Sequence, residues 1–381
     1  MSSTPTTPVV SASAPLEPVA AESARSLRGD AVRHWVRAQT WRDIATVEFS
    51  RIGYAVPIRV GIAVALVMIV GGLTGHRDVA GLAALGALIS AFCRPDPYPV
   101  RLPRLLVIGA ALTSSVAIGG TLGTYSSSMV VDIIVISLLG GASVYLMTSL
   151  HIVGPGAVII MFAANGAAAS AATTGIGYAT AATAIGAVVG ILASIAPWLL
   201  GLARTDADKP RRESLRVALA GGRTRAAHRH LLFTAGRITV AAAIAGGIAT
   251  AIGLAHPMWA AMGGVAAMQG VAYHLTVRRG VQRLIGNVVG GVIAAILLAL
   301  PLGYWGAVVA IVVFQVAAEV FSTVNYALCS VVVTPMALLL TGIGAHLSPD
   351  AAVDRVLDTV IGIVIGIVIA AITITRADVD H

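Results

Sequence analysis

Residues 56–74 read VPIRVGIAVALVMIVGGLT, and residues 236–254 read GRITVAAAIAGGIATAIGL. Each is an apolar stretch with one arginine near its start, and at about 1.5 Å per residue a helix of that length approaches the ~30 Å hydrocarbon core of a bilayer. Such runs recur along the whole chain. Of 381 residues, 57% are hydrophobic and 11% charged, whereas soluble domains carry about 25% charged residues. So few charges cannot coat a soluble protein of this size, and the chain reads as an integral membrane protein. The alternating ten-residue strands of an outer-membrane barrel are absent.

The fold expected is therefore all-α, with about twelve transmembrane helices. They are placed at 56–74, 78–93, 103–123, 126–142, 144–165, 178–201, 236–254, 257–273, 283–302, 305–321, 323–343 and 356–375. Several are short or broken by glycine, which leaves room for a re-entrant segment. Residues 1–24, rich in Ser, Thr, Pro and Ala, read as a disordered tail without a signal-peptide core, so that the first span acts as the internal signal. Residues 25–55 carry Val32, Trp35, Val36, Ile44 and Val47 among Arg33, Arg37, Arg42 and Arg51. That pattern fits an amphipathic helix on the membrane surface or a solvated linker helix equally well. Residues 202–235 form a basic linker, and 376–381 a short tail.

The two long apolar regions, 56–201 and 236–375, repeat each other. At an offset of 178 residues Arg51 meets Arg229, Arg59 meets Arg237, Gly75 meets Gly253, Gly86 meets Gly264 and Arg101 meets Arg279. After a two-residue insertion Leu122 meets Leu302, Gly123 meets Gly303, Pro155 meets Pro335 and Gly186 meets Gly366. Two six-helix repeats have an even number of spans each, so they run parallel, related by a pseudo-two-fold axis along the membrane normal. A transport path on that axis is the natural expectation.

The net charge is +8, from 24 arginines and the lone Lys209 against 17 acids. With the N terminus inside, all basic residues but Arg77 and Arg355 fall on the cytoplasmic side, which places both termini and the linker there. Trp198, Trp259 and Trp305 then lie near span ends, where such rings prefer to sit. No basic domain remains for nucleic acid. Cys93 and Cys329 make no CxxC or metal-ligand spacing, and no residue pattern calls for a cofactor. A P-loop, HExxH, GxSxG and paired carboxylates at a span end are all missing, so neither ATP-driven pumping by this chain nor hydrolysis is indicated.

Polar residues inside spans are costly to bury unless paired or wet, so they mark where function is sought. Asp132 in the fourth span and His151 in the fifth, joined by a turn at Gly140–Ser143, are placed at similar depth as a proton relay, or as a structural pair, since His titrates near neutral pH. Glu319 reads as a helix-end acid reaching to water. Gln269, Asn287, Gln315 and Thr334, with Thr113, Ser114 and Ser115, either line a polar path or bond a neighbouring helix. Arg59, Arg101 and Arg104, and the matching Arg237, Arg279 and Arg283, either anchor the membrane face or converge into a cationic vestibule that concentrates anions. Glycine pairs at Gly71/Gly75, Gly119/Gly123, Gly186/Gly190, Gly286/Gly290 and Gly362/Gly366 suit close helix contacts, or sliding surfaces for alternating access.

The stretch His256–Ala260 (HPMWA), followed by Arg278–Gly290 (RRGVQRLIGNVVG), resembles the W-A … R-x-x-x-R-x-x-G-T-x-x-G pattern of the fusaric acid resistance, or aromatic acid exporter, family. Asn325–Pro335 (NYALCSVVVTP) and Arg355–Gly362 (RVLDTVIG) resemble its later segments. Gly81–Gly86 and Phe92–Arg104 (FCRPDPYPVRLPR) resemble its first repeat in degenerate form. Asn287 stands where that family usually has Thr, and the linker is shorter than the cytoplasmic domain many members carry. The resemblance covers about residues 50–375 and implies a multi-pass transporter of the bacterial cytoplasmic membrane that exports small aromatic carboxylates. The expected partners are the lipid bilayer and a small organic anion, with a homo-oligomer left open. Two alternatives stay open as well: an organic-anion channel without a proton relay, and a non-transporting scaffold for envelope assembly.

Overall fold

The computed structural model describes residues 53–152, 154, 156–201, 225–268, 273–345 and 348–373. The expected tail 1–24, nearly all of the segment 25–55, most of the linker 202–235, the tail 376–381 and the candidate Gln269 lie outside them. The described residues form twelve α-helices: α1 (Ala55–Leu73), α2 (Arg77–Ala87), α3 (Tyr98–Tyr125), α4 (Met129–Ser149), α5 (Val158–Ala169) and α6 (Ile176–Leu199) precede the linker. After it come α7 (Arg225–Ala251), α8 (Pro257–Met268), α9 (Tyr273–Ala299), α10 (Gly303–Val324), α11 (Tyr326–Ala345) and α12 (Asp350–Ile372).

Among the described residues, nine of these helices are long and apolar enough to cross a membrane; the shorter α2, α5 and α8 are not. This corrects the expectation of twelve full spans. A helix of eleven or twelve residues is about 17–18 Å long, well short of the hydrocarbon core. Every residue of α8 is buried, as is every residue of α2 from Val79 onward. An all-round apolar helix of this kind belongs inside a protein.

The long helices face the other way on one side. In α1, Ile58, Ile62, Leu66, Ile69 and Leu73 are exposed in a stripe at helical spacing, while Val60, Val64, Val67 and Met68 are buried. In water such a stripe would be an aggregation surface; against lipid tails it costs nothing. This pattern, with the long apolar helices, makes the chain an integral multi-pass membrane protein.

Before the linker, α2 packs on α6, and α3 on α5 and α6. After it, α8 packs on α12, and α9 on α11 and α12. The halves meet through α1 with α10 and α4 with α7, and more lightly through α2, α5, α8 and α11. Four of the five glycine pairs lie at these seams. A Cβ at Gly119 or Gly123 of α3 would strike Ala164 or Ala168 of α5, and one at Gly186 or Gly190 of α6 would strike Ala83 or Ala87 of α2. Likewise Gly286 and Gly290 of α9 abut the backbone of Ala327 and Val331 in α11, and Gly362 and Gly366 of α12 abut Ala260 and Gly264 in α8. The exception is Gly75, which ends α1 with φ +81°, as Gly253 ends α7 with φ +80°. Both take the left-handed position that closes a helix C terminus, with His76 N–H bonded to Gly71 O at 2.8 Å and Leu254 N–H to Ala249 O at 3.0 Å.

Candidate functional site

The arginine-rich end is organised by the broken helix α2. It tightens into a 3₁₀ turn at Leu88–Ala91 and stops inside the bundle, leaving carbonyls that have no partner of their own and no water to turn to. Arginines supply the donors. Arg59 Nη2 donates to Ser90 O at 3.0 Å and Arg94 Nε to Ala91 O at 3.0 Å. Arg101 Nη2 donates to Arg94 O and Asp96 O, each at 2.9 Å, and its Nη1 reaches Ser194 O on α6 at 3.4 Å. Its guanidinium also lies 4.6 Å from the centre of the Tyr98 ring, which stacks on Trp198. Arg104 Nη1 pairs with Asp96 Oδ2 at 2.8 Å, the two side chains 1% and 0% exposed. Positive charge at a helix C terminus is favourable in itself.

Across the seam, Arg94 pairs with Glu319 of α10, whose Oε1 accepts from Gln315 Nε2 at 3.0 Å. Glu319 is 5% exposed, so it does not reach to water as expected; a half-buried arginine is the nearer partner. Beside this cluster burial pushes the Cys93 thiol up to about 12.

After the linker the same end is laid out differently. Arg237 Nη1 donates to Thr373 O at 3.4 Å, Arg283 Nη1 to Tyr326 Oη at 3.2 Å, and Arg279 is exposed. The expected symmetric vestibule is thus uneven: Arg101 and Arg104 are buried and engaged with Asp96 and with backbone carbonyls, while Arg279 faces outward.

Asn287 and Thr334, picked from the sequence, do come together. Asn287 Oδ1 accepts from the Thr334 hydroxyl of α11, and its Nδ2 donates to Thr359 Oγ1 of α12 at 2.8 Å. All three are buried, and they tie α9, α11 and α12 together where lipid would offer no partner.

One turn along α12 lies a group that sequence reasoning placed outside the membrane. Arg355 is 4% exposed, and its Nε and Nη1 have no hydrogen-bond partner. Its guanidinium carbon sits 5.2 Å from the centre of the Trp259 ring of α8. His256 stacks on that ring at 4.2 Å, and its Nδ1 meets Asp354 Oδ2 at 3.1 Å. Asp358, three residues after Arg355, is 0% exposed with both carboxylate oxygens unpartnered. The legible signal was RVLD, opposite charges three apart leading into an apolar run; drawing the span from residue 356 hid it.

The pairing of Asp132 with His151 is not what the structure builds. Gly140–Ser143 is no turn but the interior of α4. The two glycines are there for contact, since a Cβ at Gly140 would lie 2.6 Å from Met161 Sδ and one at Gly141 2.9 Å from Ala235 O. Asp132 sits in the first turn of α4, where a carboxylate complements the helix dipole. His151 lies just past its last turn with φ +52°. Its N–H bonds to Thr148 O at 3.3 Å and that of Ile152 to Met147 O at 2.8 Å, the paired bonds of a Schellman cap. Nineteen residues of rise separate them, about 28 Å.

No curated protein and no solved structure matches the chain. Residues 243–369 match the family described as fusaric acid resistance protein-like. That segment contains His256, Trp259, Asn287, Thr334, Arg355 and Asp358, along with most of the contacts that hold them. The chain is a multi-pass membrane protein whose residues 243–369 are similar to the fusaric acid resistance protein-like family.

Proposed function

We propose that this protein carries small organic anions, aromatic carboxylates foremost, outward across a bacterial cytoplasmic membrane. The observation that carries the reading is Arg355: a guanidinium sealed inside a membrane-spanning helix, its Nε and Nη1 without partners, set against an indole ring. Arginine stays charged in proteins, and a charge at this depth is costly until an anion answers it. A planar carboxylate fits its fork of donors. The path begins at the arginine-rich end, where the exposed Arg279 and the half-buried Arg283 attract anions and Arg59, Arg101, Arg104 and Arg237 hold the helix ends. Gln315 and the Asn287–Thr334 pair mark polar stations in the bundle.

Correspondence between the two six-helix halves supports alternating access. The matched glycines Gly75 and Gly253 end α1 and α7 alike, and the α2–α6 and α3–α5 seams have counterparts in α8–α12 and α9–α11. Charge asymmetry supports a cytoplasmic side for the arginine-rich end. The test is efflux of radiolabelled benzoate from proteoliposomes. Wild type should pass benzoate at least tenfold faster than protein-free vesicles, Arg355→Gln should abolish that excess, and Arg278→Gln should keep it. Wild-type flux equal to the protein-free control over a panel of aromatic acids would refute transport and favour a scaffold.

A further inference from the structure

Resting on that anion-transport reading, we infer that Asp358 turns the Arg355 site into one where a carboxylate anion and a proton bind together. The two residues lie three apart on α12, a spacing that puts them on one face, yet no ion pair joins them in this structure. Asp358 is eight residues, about 12 Å, inside the helix. Its carboxyl oxygens have no partner among the surrounding atoms, so in this arrangement the group is held as the neutral acid, because an unpaired carboxylate at such a place is too costly.

Two arrangements of the site are electroneutral. In one, Asp358 is ionised and turned onto Arg355 as an internal ion pair. In the other, Asp358 holds a proton and Arg355 holds an external carboxylate. Passing from the first to the second breaks one ion pair, adds one proton to an Asp358 oxygen, adds one carboxylate to the guanidinium and leaves the charge of the site unchanged. Neither the proton alone nor the anion alone does so. The low dielectric therefore couples their binding with the same sign. An anion raises the proton affinity of Asp358, and by reciprocity a proton raises the anion affinity of Arg355.

The surroundings leave Asp358 as the coupling group. On α12 the other charged neighbours are Asp354 and Arg355; Asp354 is engaged with His256 at the start of α8. From α9, Arg283 acts on Arg355 across the seam and is itself bonded to Tyr326. Helix α8 presents no acid or base of its own; its Trp259 Nε1, buried without a partner, is a further donor for an anion's second oxygen. On α7, Arg237 sits at the far end of α12 on Thr373. The bonds from Asn287 to Thr359 and Thr334 fix the next turn of α12, so the pair can rearrange without the helix moving.

The experiment is calorimetric titration of the full-length protein in detergent with benzoate, in buffers of different ionisation enthalpy, from pH 6 to pH 9. Wild type should take up about one proton per benzoate, and its affinity should fall up to tenfold per pH unit once Asp358 ionises. Asp358→Asn, neutral at every pH, should bind benzoate without proton uptake and without that pH dependence; Asp350→Asn, at the exposed start of α12, should leave both as in wild type. Benzoate binding by wild type with no proton taken up would overturn the coupling while leaving anion transport intact. So would pH dependence that survives Asp358→Asn or is removed by Asp350→Asn. If wild type neither binds nor moves benzoate, the anion reading itself falls. The proton count on wild type needs no variant, so an Asp358→Asn protein that fails to fold does not shelter the inference.

Discussion

Replacing Asp96 with Asn removes the charge that answers Arg104 while keeping the shape of the side chain. The pair is 2.8 Å apart with exposures of 1% and 0%. At an effective dielectric of about 20, two unit charges at that distance attract by about 6 kcal/mol, most of it offset by the cost of taking both from water. Deleting one partner keeps the desolvation and loses the attraction, which in buried pairs costs about 3–5 kcal/mol. Because Asn still offers an amide oxygen to Arg104, the lower end, about 3 kcal/mol, is expected. The loss should spread, since Arg101 grips the backbone of Asp96 and reaches Ser194 on α6, so a loosened loop frees the α2–α6 seam. Reversible unfolding in mixed micelles reads the cost, and a double-mutant cycle with Arg104→Met isolates the pair, the double variant recovering most of the loss. Raising the salt should leave the result unchanged, because neither charge meets solvent. A penalty below about 1 kcal/mol, or strict additivity in the cycle, would refute the view that this pair holds the end of α2.

At the α2–α6 seam, Gly186→Ala would bring a Cβ to 2.7 Å from Ala83 C and should cost about 1–3 kcal/mol of unfolding free energy in the same micelle assay. Gly264→Ala, with Ala241 O at 3.4 Å, should stay within about 0.5 kcal/mol of wild type. Thr334→Val leaves Asn287 Oδ1 without its donor and should destabilise by about 1–3 kcal/mol; an unchanged transition would mean the bond is idle. Cys93, with its thiol at about 12, should resist maleimide at pH 8 in folded protein and react after denaturation. Asp132→Asn and His151→Gln, at opposite ends of α4, should combine additively in benzoate flux and in stability; a strong coupling energy would restore the relay.

Much of the architecture was legible because hydrophobicity over twenty residues is a coarse signal that lipid enforces. Each expected span finds one helix. What failed were the places where local chemistry carries two meanings. Gly140 and Gly141 looked like a turn, but in a membrane bundle the missing Cβ serves close approach to Met161, Ala235 and Thr239, and α4 runs on to Ser149. That shift moved His151 to a helix end. The arginines were found but not their task, because nothing local in FCRPDPYPVRLPR says that α2 stops early and leaves carbonyls to be capped. Asn287 and Thr334 were legible as polar residues in apolar runs; that they meet Thr359 is a matter of tertiary packing.

Among the described residues two buried arginine–aspartate combinations stand out, and they are treated in opposite ways. Arg104 and Asp96 are in contact, and their loop is bonded to the end of α2, as a structural pair must be when no water is at hand. Arg355 and Asp358 are close enough to pair and do not, and both keep polar atoms without partners. Packing cannot explain them: apolar residues of similar size commonly replace buried charges without loss of stability, and the Asn287, Thr334 and Thr359 bonds already join the three helices around them. An unanswered guanidinium and an unpartnered carboxylic acid on one face of a spanning helix, beside an indole, are stable only as one half of an exchange. The group that completes it must bring an anion for the arginine and a proton for the acid, and a weak carboxylic acid brings both.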